Sequence, residues 1–310
     1  MSSKPEQLTV SVVIPVINAA PYLPQLIPAI LSQKAAVTEI VLVDSGSSDG
    51  TREAARRYDR TRVVSIERFS HGGARNLGAR AAVGDIVVLL TQDALPRDAD
   101  WLCALLAPFA DPGLAAAYSR QVPTPDASPM EQYFLATRFP AGGTEIRRKQ
   151  GSAPLTFEQV FFSNVSAAVR RDLLLKHPFD DGLIMSEDQQ LSRDLMDAGH
   201  AVAYVPRSVV IHSHNYSLGT VFRRYFDSVY SLTVIFPRHS MGTSASMGLT
   251  YLGGECAHVA RTSPLLLPYY ALYTLAKTGG TVMGHFAEKL PRWALRRLSM
   301  HSYHWDATRP

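Results

Sequence analysis

Val41-Leu42-Val43-Asp44-Ser45-Gly46-Ser47-Ser48-Asp49-Gly50-Thr51 is an apolar strand pattern that runs into a small, polar, glycine-punctuated turn and then into a helical pattern. Such a turn can present backbone N–H groups and a carboxylate to a nucleotide. An ordinary strand-to-helix turn in which Asp49 or Thr51 caps the helix fits the same string. The alternation continues on both sides: strand-like Thr9 to Val16, helical Tyr22 to Gln33, the strand Glu39 to Asp44, helical Thr51 to Arg60, and strand-like Thr61 to Ile66. This rhythm predicts βαβ units and an α/β fold with a Rossmann-like, mostly parallel sheet flanked by helices. Asp85 to Leu90 is nearly unbroken apolar, as a central strand covered on both faces should be, and it ends in Thr91-Gln92-Asp93-Ala94. Ligands in open α/β sheets sit at the carboxyl ends of strands, which makes Asp44 and Asp93 candidates.

The 310 residues, 46% of them hydrophobic, can bury a sizeable core in roughly two units, which excludes a disordered tail or a small disulfide scaffold. Only two cysteines, Cys103 and Cys256, occur, and no charged-then-apolar signal segment opens the sequence. A reducing cytoplasm with both thiols serving as packing residues is expected. The longest uncharged stretches, His239 to Gly254 and Thr262 to Ala276, are too short and too rich in Gly or Pro to span a bilayer. The net charge of +4 resides entirely in residues 277–310, where Lys277, Lys289, Arg292, Arg296, Arg297 and Arg309 face only Glu288 and Asp306. Residues 1–276 are formally neutral, so nucleic acid is not expected as a partner.

Further along, Phe69-Ser70-His71-Gly72-Gly73-Ala74-Arg75-Asn76-Leu77-Gly78 offers two glycines for close backbone approach to a ligand, with Arg75 on the first turn of a helix. An Arg there can meet a phosphate as a bidentate donor, or form a surface salt bridge. From Leu114 to Arg170 the pattern is mixed, with Pro123, Pro125, Pro129 and Gly142-Gly143 marking loops and leaving room for a mobile segment over the substrate. Met185-Ser186-Glu187-Asp188 opens a helix. Ser186 as N-cap with dipole-favoured carboxylates explains it, and so does a general base. Ala201 to Val205 and Val209 to His212 read as short strands, and Ile211-His212-Ser213-His214 puts two imidazoles on one strand face. Such a pair is either structural or, together with Asp93, a site for a hard cation on a diphosphate. Beyond Ser217 helices take over, with Leu218, Phe222, Tyr225, Phe226 and Val229 on one face.

Taken in order, Asp44 to Thr51, Phe69 to Asn76, Thr91 to Ala94, Glu187-Asp188 and His212 to Ser217 resemble family-two inverting glycosyltransferases of the GT-A fold, especially the bacterial rhamnosyltransferases that use dTDP-L-rhamnose. Arg223-Arg224-Tyr225-Phe226-Asp227 and Arg297-Leu298-Ser299-Met300-His301 extend the resemblance across residues 9–305. It implies a GT-A catalytic domain over residues 8–216 and a helical, basic, membrane-associating region over residues 217–310. Pro15, Asn18, Asp44, Ser45, Gly46, Arg75, Asn76, Gln92 and Asp93 would bind the donor, with Asp44 accepting the base imide proton. Asp188 would be the catalytic base, Glu187, Arg223 and Arg224 would support it or the acceptor, and Asp93, with His212 or His214, would hold Mg²⁺ or Mn²⁺. The reaction would be an in-line displacement that moves rhamnose to a glycan acceptor carried on a polyprenyl diphosphate, in cell-surface polysaccharide synthesis.

Three features depart from the family's general pattern: Thr91 replaces the first Asp of Asp-x-Asp, Ile17 stands where an aromatic residue often precedes Asn18, and the Gln-x-x-Arg-Trp motif of processive synthases is absent. Val16-Ile17-Asn18-Ala19-Ala20 carries neither the glycine-rich basic loop of a nucleotidyltransferase nor a dehydrogenase Gly-x-Gly-x-x-Gly. Another UDP- or dTDP-sugar donor, or a non-catalytic sugar-nucleotide-binding module, stays open at this point. Leu290, Trp293, Leu295, Leu298, Tyr303 and Trp305 among the terminal cations suit contact with the inner membrane face. A solvated or homodimer-forming helix suits the same composition.

Overall fold

The computed structural model describes residues 8–236 and 241–306, with side chains omitted from 241–247. Arg309 and part of the uncharged His239–Gly254 stretch therefore lie outside the described residues. In chain order the first elements are β1 (Val10–Val16), α1 (Leu23–Leu31), β2 (Glu39–Asp44), α2 (Thr51–Ala55), β3 (Thr61–Ser65), α3 (His71–Ala81), β4 (Ile86–Leu90), β5 (Leu95–Pro96), α4 (Trp101–Leu106) and β6 (Leu114–Val122). There follow α5 (Pro129–Arg138), β7 (Glu145–Arg147), α6 (Phe157–Val160), β8 (Ser166–Arg170), α7 (Arg171–Lys176), α8 (Glu187–Asp197), β9 (Ala201–Ile211), α9 (Leu218–Ile235), α10 (Met241–Thr262), α11 (Leu267–His285) and α12 (Arg292–Leu298). These elements form two compact units. The first comprises Met1–Val122, Phe139–Gly182 and Glu187–His212; the second comprises Pro123–Arg138, Leu183–Ser186 and Ser213–Pro310.

The first unit is built on a 9-stranded sheet in the order β3-β2-β1-β4-β8-β6-β9-β5, with β7 also paired to β9. β1 lies parallel between β2 and β4, and β2 is parallel to β3. Val16 is in register with Asp44, so the polar ends of β1 and β2 emerge side by side. β8 runs antiparallel to both β4 and β6, while β6 and β9 are parallel. The apolar sequences of β1 and β4 are explained by helices on both faces; Leu23, Ile27, Ile30 and Trp101 are fully buried against them. Gly78 is required by sterics, because a Cβ there would collide with Val13 and crowd Val43, so α3 can lie directly on β1 and β2.

Four expectations need correction. β9 is one strand of 11 residues, not two, because the break at Pro206 is absorbed as an irregularity: Val205 pairs with Ser119 and Val209 with Arg120. The strand stops at Ile211, so His212 and His214 follow it and do not share a strand face. The helix expected over Thr51–Arg60 ends at Ala55. Both thiols are exposed and not packed inside.

In the second unit, α11 lies close on α9 because Gly280 and Gly284 have no side chain to hold the helices apart. A Cβ at Gly284 would stand 2.6 Å from the Phe226 carbonyl oxygen. Asp227, fully buried on α9, accepts hydrogen bonds from the Met300 and His301 amides at 2.8 and 3.2 Å, which gives the two later motifs a structural task. Lys277 forms a buried ion pair with Glu255 at 3.1 Å and lies 4.2 Å from the Tyr251 ring centroid. No helix of the described residues is long and apolar enough to cross a membrane.

Candidate active site

At the ends of β1 and β2, two loops are laced together. The Asn18 amide donates to Ser47 Oγ at 2.9 Å, and Asn18 Oδ1 accepts from the Ser48 amide at 3.0 Å. The Ala19 amide donates to Thr51 Oγ1 at 2.7 Å, and Ala20 donates to Asp49 at 3.0 Å, so Asp49 and Thr51 brace the turn as well as opening α2. Asn18 and Gly46 both adopt left-handed backbone, with φ of 48° and 101°; glycine alone accepts the latter without strain. Pro15 is half-buried near the end of β1, and Ser45 Oγ donates to the Val16 carbonyl at 3.0 Å. Asp44 is buried and accepts from the Ser47 amide and hydroxyl and from Arg52 Nε. Burial alone would raise its pKa, but these donors outweigh it and hold the carboxyl below the usual range. Gln92 clamps Ile17, accepting from its amide at 2.9 Å and donating to its carbonyl at 3.2 Å.

A second group gathers at the head of α8. Arg75, in the second turn of α3, donates from Nη1 to Glu187 Oε1 at 3.0 Å, a buried pair, and to the half-buried His71 carbonyl at 3.0 Å. Gly72 and Gly73, expected to admit a ligand, instead accommodate the chain at residues 179–181. A Cβ at Gly72 would lie 2.9 Å from the Asp180 carbonyl oxygen. Asn76 clamps Phe179 in the same way, with bonds of 2.8 and 3.0 Å to its main chain. Ser186 has φ of 63°, not the extended backbone usual for an N-cap.

Asp188, half-buried, accepts from the Gln189 amide at 2.9 Å and the Asn164 amide at 3.3 Å. Burial, with the neighbouring Glu187 charge, pushes its pKa up to about 7. Burial also acts upward on Glu187, but Arg75 and His71 outweigh it and keep that carboxyl below the usual range. The pair therefore divides: one carboxylate is held ionised by a guanidinium, and the other, half-buried, is poised near neutrality. That is the disposition of a general base beside a fixed charge.

Just after β4, Asp93 Oδ1 and His212 Nε2 stand 3.6 Å apart, close enough for both to reach one cation. The His212 ring is fixed through Nδ1 to Gln121 Oε1 at 3.0 Å. Thr91 Oγ1, at the position of the missing first Asp, is buried and has no hydrogen-bond partner among the described residues. A carboxylate and water suit Mg²⁺ or Mn²⁺, and the imidazole favours the transition metal of the two, Mn²⁺. A small cleft beside Asp93 is lined by Tyr22, Gln25 and Gln92.

His214, Arg223 and Arg224 belong to the second unit. The His214 ring lies 5.1 Å from Tyr216, and its amide donates to Glu131 at 3.4 Å. Arg224 donates to the Tyr216 hydroxyl at 3.1 Å, while Arg223 is exposed. Burial raises the Glu131 pKa, opposed by the His214 amide and Arg224.

Sequence reasoning missed Asn164, Gln121, Ser163 and Arg52. Asn164 is 3% exposed, donates through Nδ2 to Glu187 at 3.4 Å, and leaves Oδ1 without a partner among the described residues. The one local signal was a polar pair, Ser163-Asn164, straight after Phe161-Phe162 and just before a buried strand.

A family model described as Glycosyl transferase family 2 matches residues 11–177. The chain is 32% identical over 304 residues to the O-antigen chain rhamnosyltransferase RfbN of Salmonella typhimurium, covering 96% of each. It is also 32% identical over 275 residues to the O-antigen chain rhamnosyltransferase WbaN of Salmonella anatum, covering 87% of this chain and 86% of that one. In structure it is similar to the mannosyltransferase PcManGT of Pyrobaculum calidifontis, solved with GDP-Man and Mn²⁺, with a TM-score of 0.63 at 20% identity over 92% of this chain and 88% of that one. A likeness to S. aureus TarS in complex with UDP, TM-score 0.52 at 14% identity over 91% of this chain and 92% of that one, has the same GT-A fold. With the family model covering more than half of its length and two relatives matching nearly all of it, the chain belongs to glycosyltransferase family 2 and is an inverting glycosyltransferase.

Proposed function

We propose that the protein transfers L-rhamnose from dTDP-β-L-rhamnose to a hydroxyl of a growing cell-surface glycan. The observation that carries the donor assignment is the end-to-end similarity, at 32% identity, to two relatives named as O-antigen chain rhamnosyltransferases. Asp188 takes the proton of the attacking hydroxyl as that oxygen bonds to the anomeric carbon, the configuration inverts, and dTDP leaves. Glu187, held ionised by Arg75, keeps the proton affinity of Asp188 near neutral. Arg75 is accordingly assigned to the carboxylate pair, because its Nη1 donates to Glu187 and the His71 carbonyl. The loops carrying Pro15, Asn18, Asp44, Ser45, Gly46 and Gln92 form the nucleotide pocket, and Asn76 acts indirectly through Phe179.

Asp93 and His212 would hold Mg²⁺ or Mn²⁺ at the donor diphosphate, with His214, two residues along the chain from His212, as the alternative imidazole ligand. When bound, the ion neutralises charge developing on the leaving diphosphate. The Mn²⁺ present with PcManGT supports this reading. The acceptor is carried on a polyprenyl diphosphate, and the second unit, with Arg223 and Arg224, approaches it at the inner face of the plasma membrane. Support comes from the large apolar side chains exposed there, Leu265, Leu272, Leu275 and Trp293.

The test is a thermal-shift and donor-hydrolysis screen of dTDP-rhamnose against UDP- and GDP-sugars, with Mn²⁺ or with chelator. Stabilisation and slow hydrolysis specific to dTDP-rhamnose with Mn²⁺ are expected. Preference for a uridine or guanosine donor would overturn the donor assignment, and equal activity in excess chelator would overturn the metal.

A further inference from the structure

His212 is a ring with two chemically different nitrogens, and its surroundings treat them differently. Its amide donates to the Val122 carbonyl at 3.0 Å, so its main chain is fixed to the end of β6. Nδ1 faces the Oε1 of Gln121, the preceding residue of β6, at 3.0 Å. Gln121 is 5% exposed, and its Nε2 donates to Ser163 Oγ at 2.9 Å. With its amino end committed to Ser163, the amide presents its carbonyl to the ring. A carbonyl only accepts, so Nδ1 carries a hydrogen, and in the neutral imidazole the lone pair is left on Nε2. Nε2 then stands 3.6 Å from Asp93 Oδ1, an acceptor facing an acceptor, an arrangement that a cation between them relieves.

We propose that Gln121 is a positioning residue for the divalent ion, holding His212 in the tautomer and orientation that aim its Nε2 lone pair at the Asp93 carboxylate. The proposal rests on the reading of Asp93 and His212 as metal ligands and extends it to a residue that never touches the ion. Partners behind a metal-bound imidazole fix its tautomer and raise its basicity, and losing one weakens metal affinity about 10- to 100-fold. Ser163 acts one step further back by keeping the amide from turning over.

The test is Mn²⁺ titration of the full chain, followed by the electron paramagnetic resonance signal of free Mn²⁺, for the wild type, Gln121→Leu and Gln121→Glu. Gln121→Leu should bind Mn²⁺ about 10- to 100-fold more weakly with an unchanged circular dichroism spectrum. Gln121→Glu, which keeps an acceptor at the same place, should stay close to wild type. If the wild type binds and Gln121→Leu binds equally well, the positioning role is wrong while the metal reading stands; so too if Gln121→Glu loses as much as Gln121→Leu. If the wild type shows no saturable Mn²⁺ binding, the metal reading fails and the proposal falls with it. Independently of any variant, nitrogen-15 correlation spectra of the metal-free wild type at alkaline pH should show His212 as the Nδ1–H tautomer. Observation of Nε2–H would overturn the proposal.

Discussion

Asp188 and Glu187 are adjacent in sequence yet titrate apart, because Arg75 stabilises one charge and burial, with that charge, penalises the other. A base must be deprotonated to act, so kcat/KM should rise with pH about tenfold per unit and level off above a pKa of about 7. Asp188→Asn should lose about 10²- to 10⁴-fold in turnover with donor affinity preserved. Glu187→Gln removes the neighbouring charge and should move the rising limb of that profile to lower pH. A limb that stays in place would mean that burial alone sets the pKa. Asp44, Asp93 and Asp188 were legible in the sequence because each stands where a strand ends or a helix begins. Gln121 was not legible, since its meaning depends on a ring 91 residues away.

At the scale of elements, the parallel strands β1, β2 and β4 could be read from apolar runs and turn residues, because burial on both faces leaves a one-dimensional signature, while β3, half-buried at the sheet edge, was marked only by its β-branched residues and its place in the alternation. The continuity of β9 through Pro206 could not, since the residue that normally ends a strand is tolerated there by a register break against β6. The close approach of α9 and α11 was equally hidden, because a glycine inside a helical pattern reads only as a weakness. Gly284→Ala would improve helix propensity by about 1 kcal/mol, but its methyl would press on the Phe226 carbonyl and Val229. Forcing an extra methyl into a close-packed contact costs about 1–3 kcal/mol, so the clash wins. Gly284→Ala should lower the thermal midpoint, whereas alanine at Gly253, which has open space around it, should not.

For the molecule as a whole, Lys277 is spent on its buried pair with Glu255, and the surface cations left in the described part of the terminal segment accompany exposed apolar side chains of the second unit. Trp293 is 72% and Leu275 68% exposed, and Arg292 lies on the surface next to Trp293. Vesicles rich in phosphatidylserine should sediment the protein at low salt and release it as salt screens the cations, each worth about 1 kcal/mol near the surface. Trp293→Ala combined with Arg292→Glu should abolish that sedimentation; equal retention by neutral vesicles would remove the electrostatic part of the account. Point changes are the right instrument, because truncation before Lys289 would also remove buried Leu295 and the amides of Met300 and His301 that Asp227 holds.

The exposed cysteines have a practical consequence. Cys103 belongs to the first compact unit and Cys256 to the second, and the chain has no other thiol. The native protein thus carries one attachment point on each unit. A donor and an acceptor fluorophore coupled through maleimide chemistry would convert any rearrangement between the units into an optical signal while nucleotide, Mn²⁺ and glycan are added in turn, with no engineered residue in the chain.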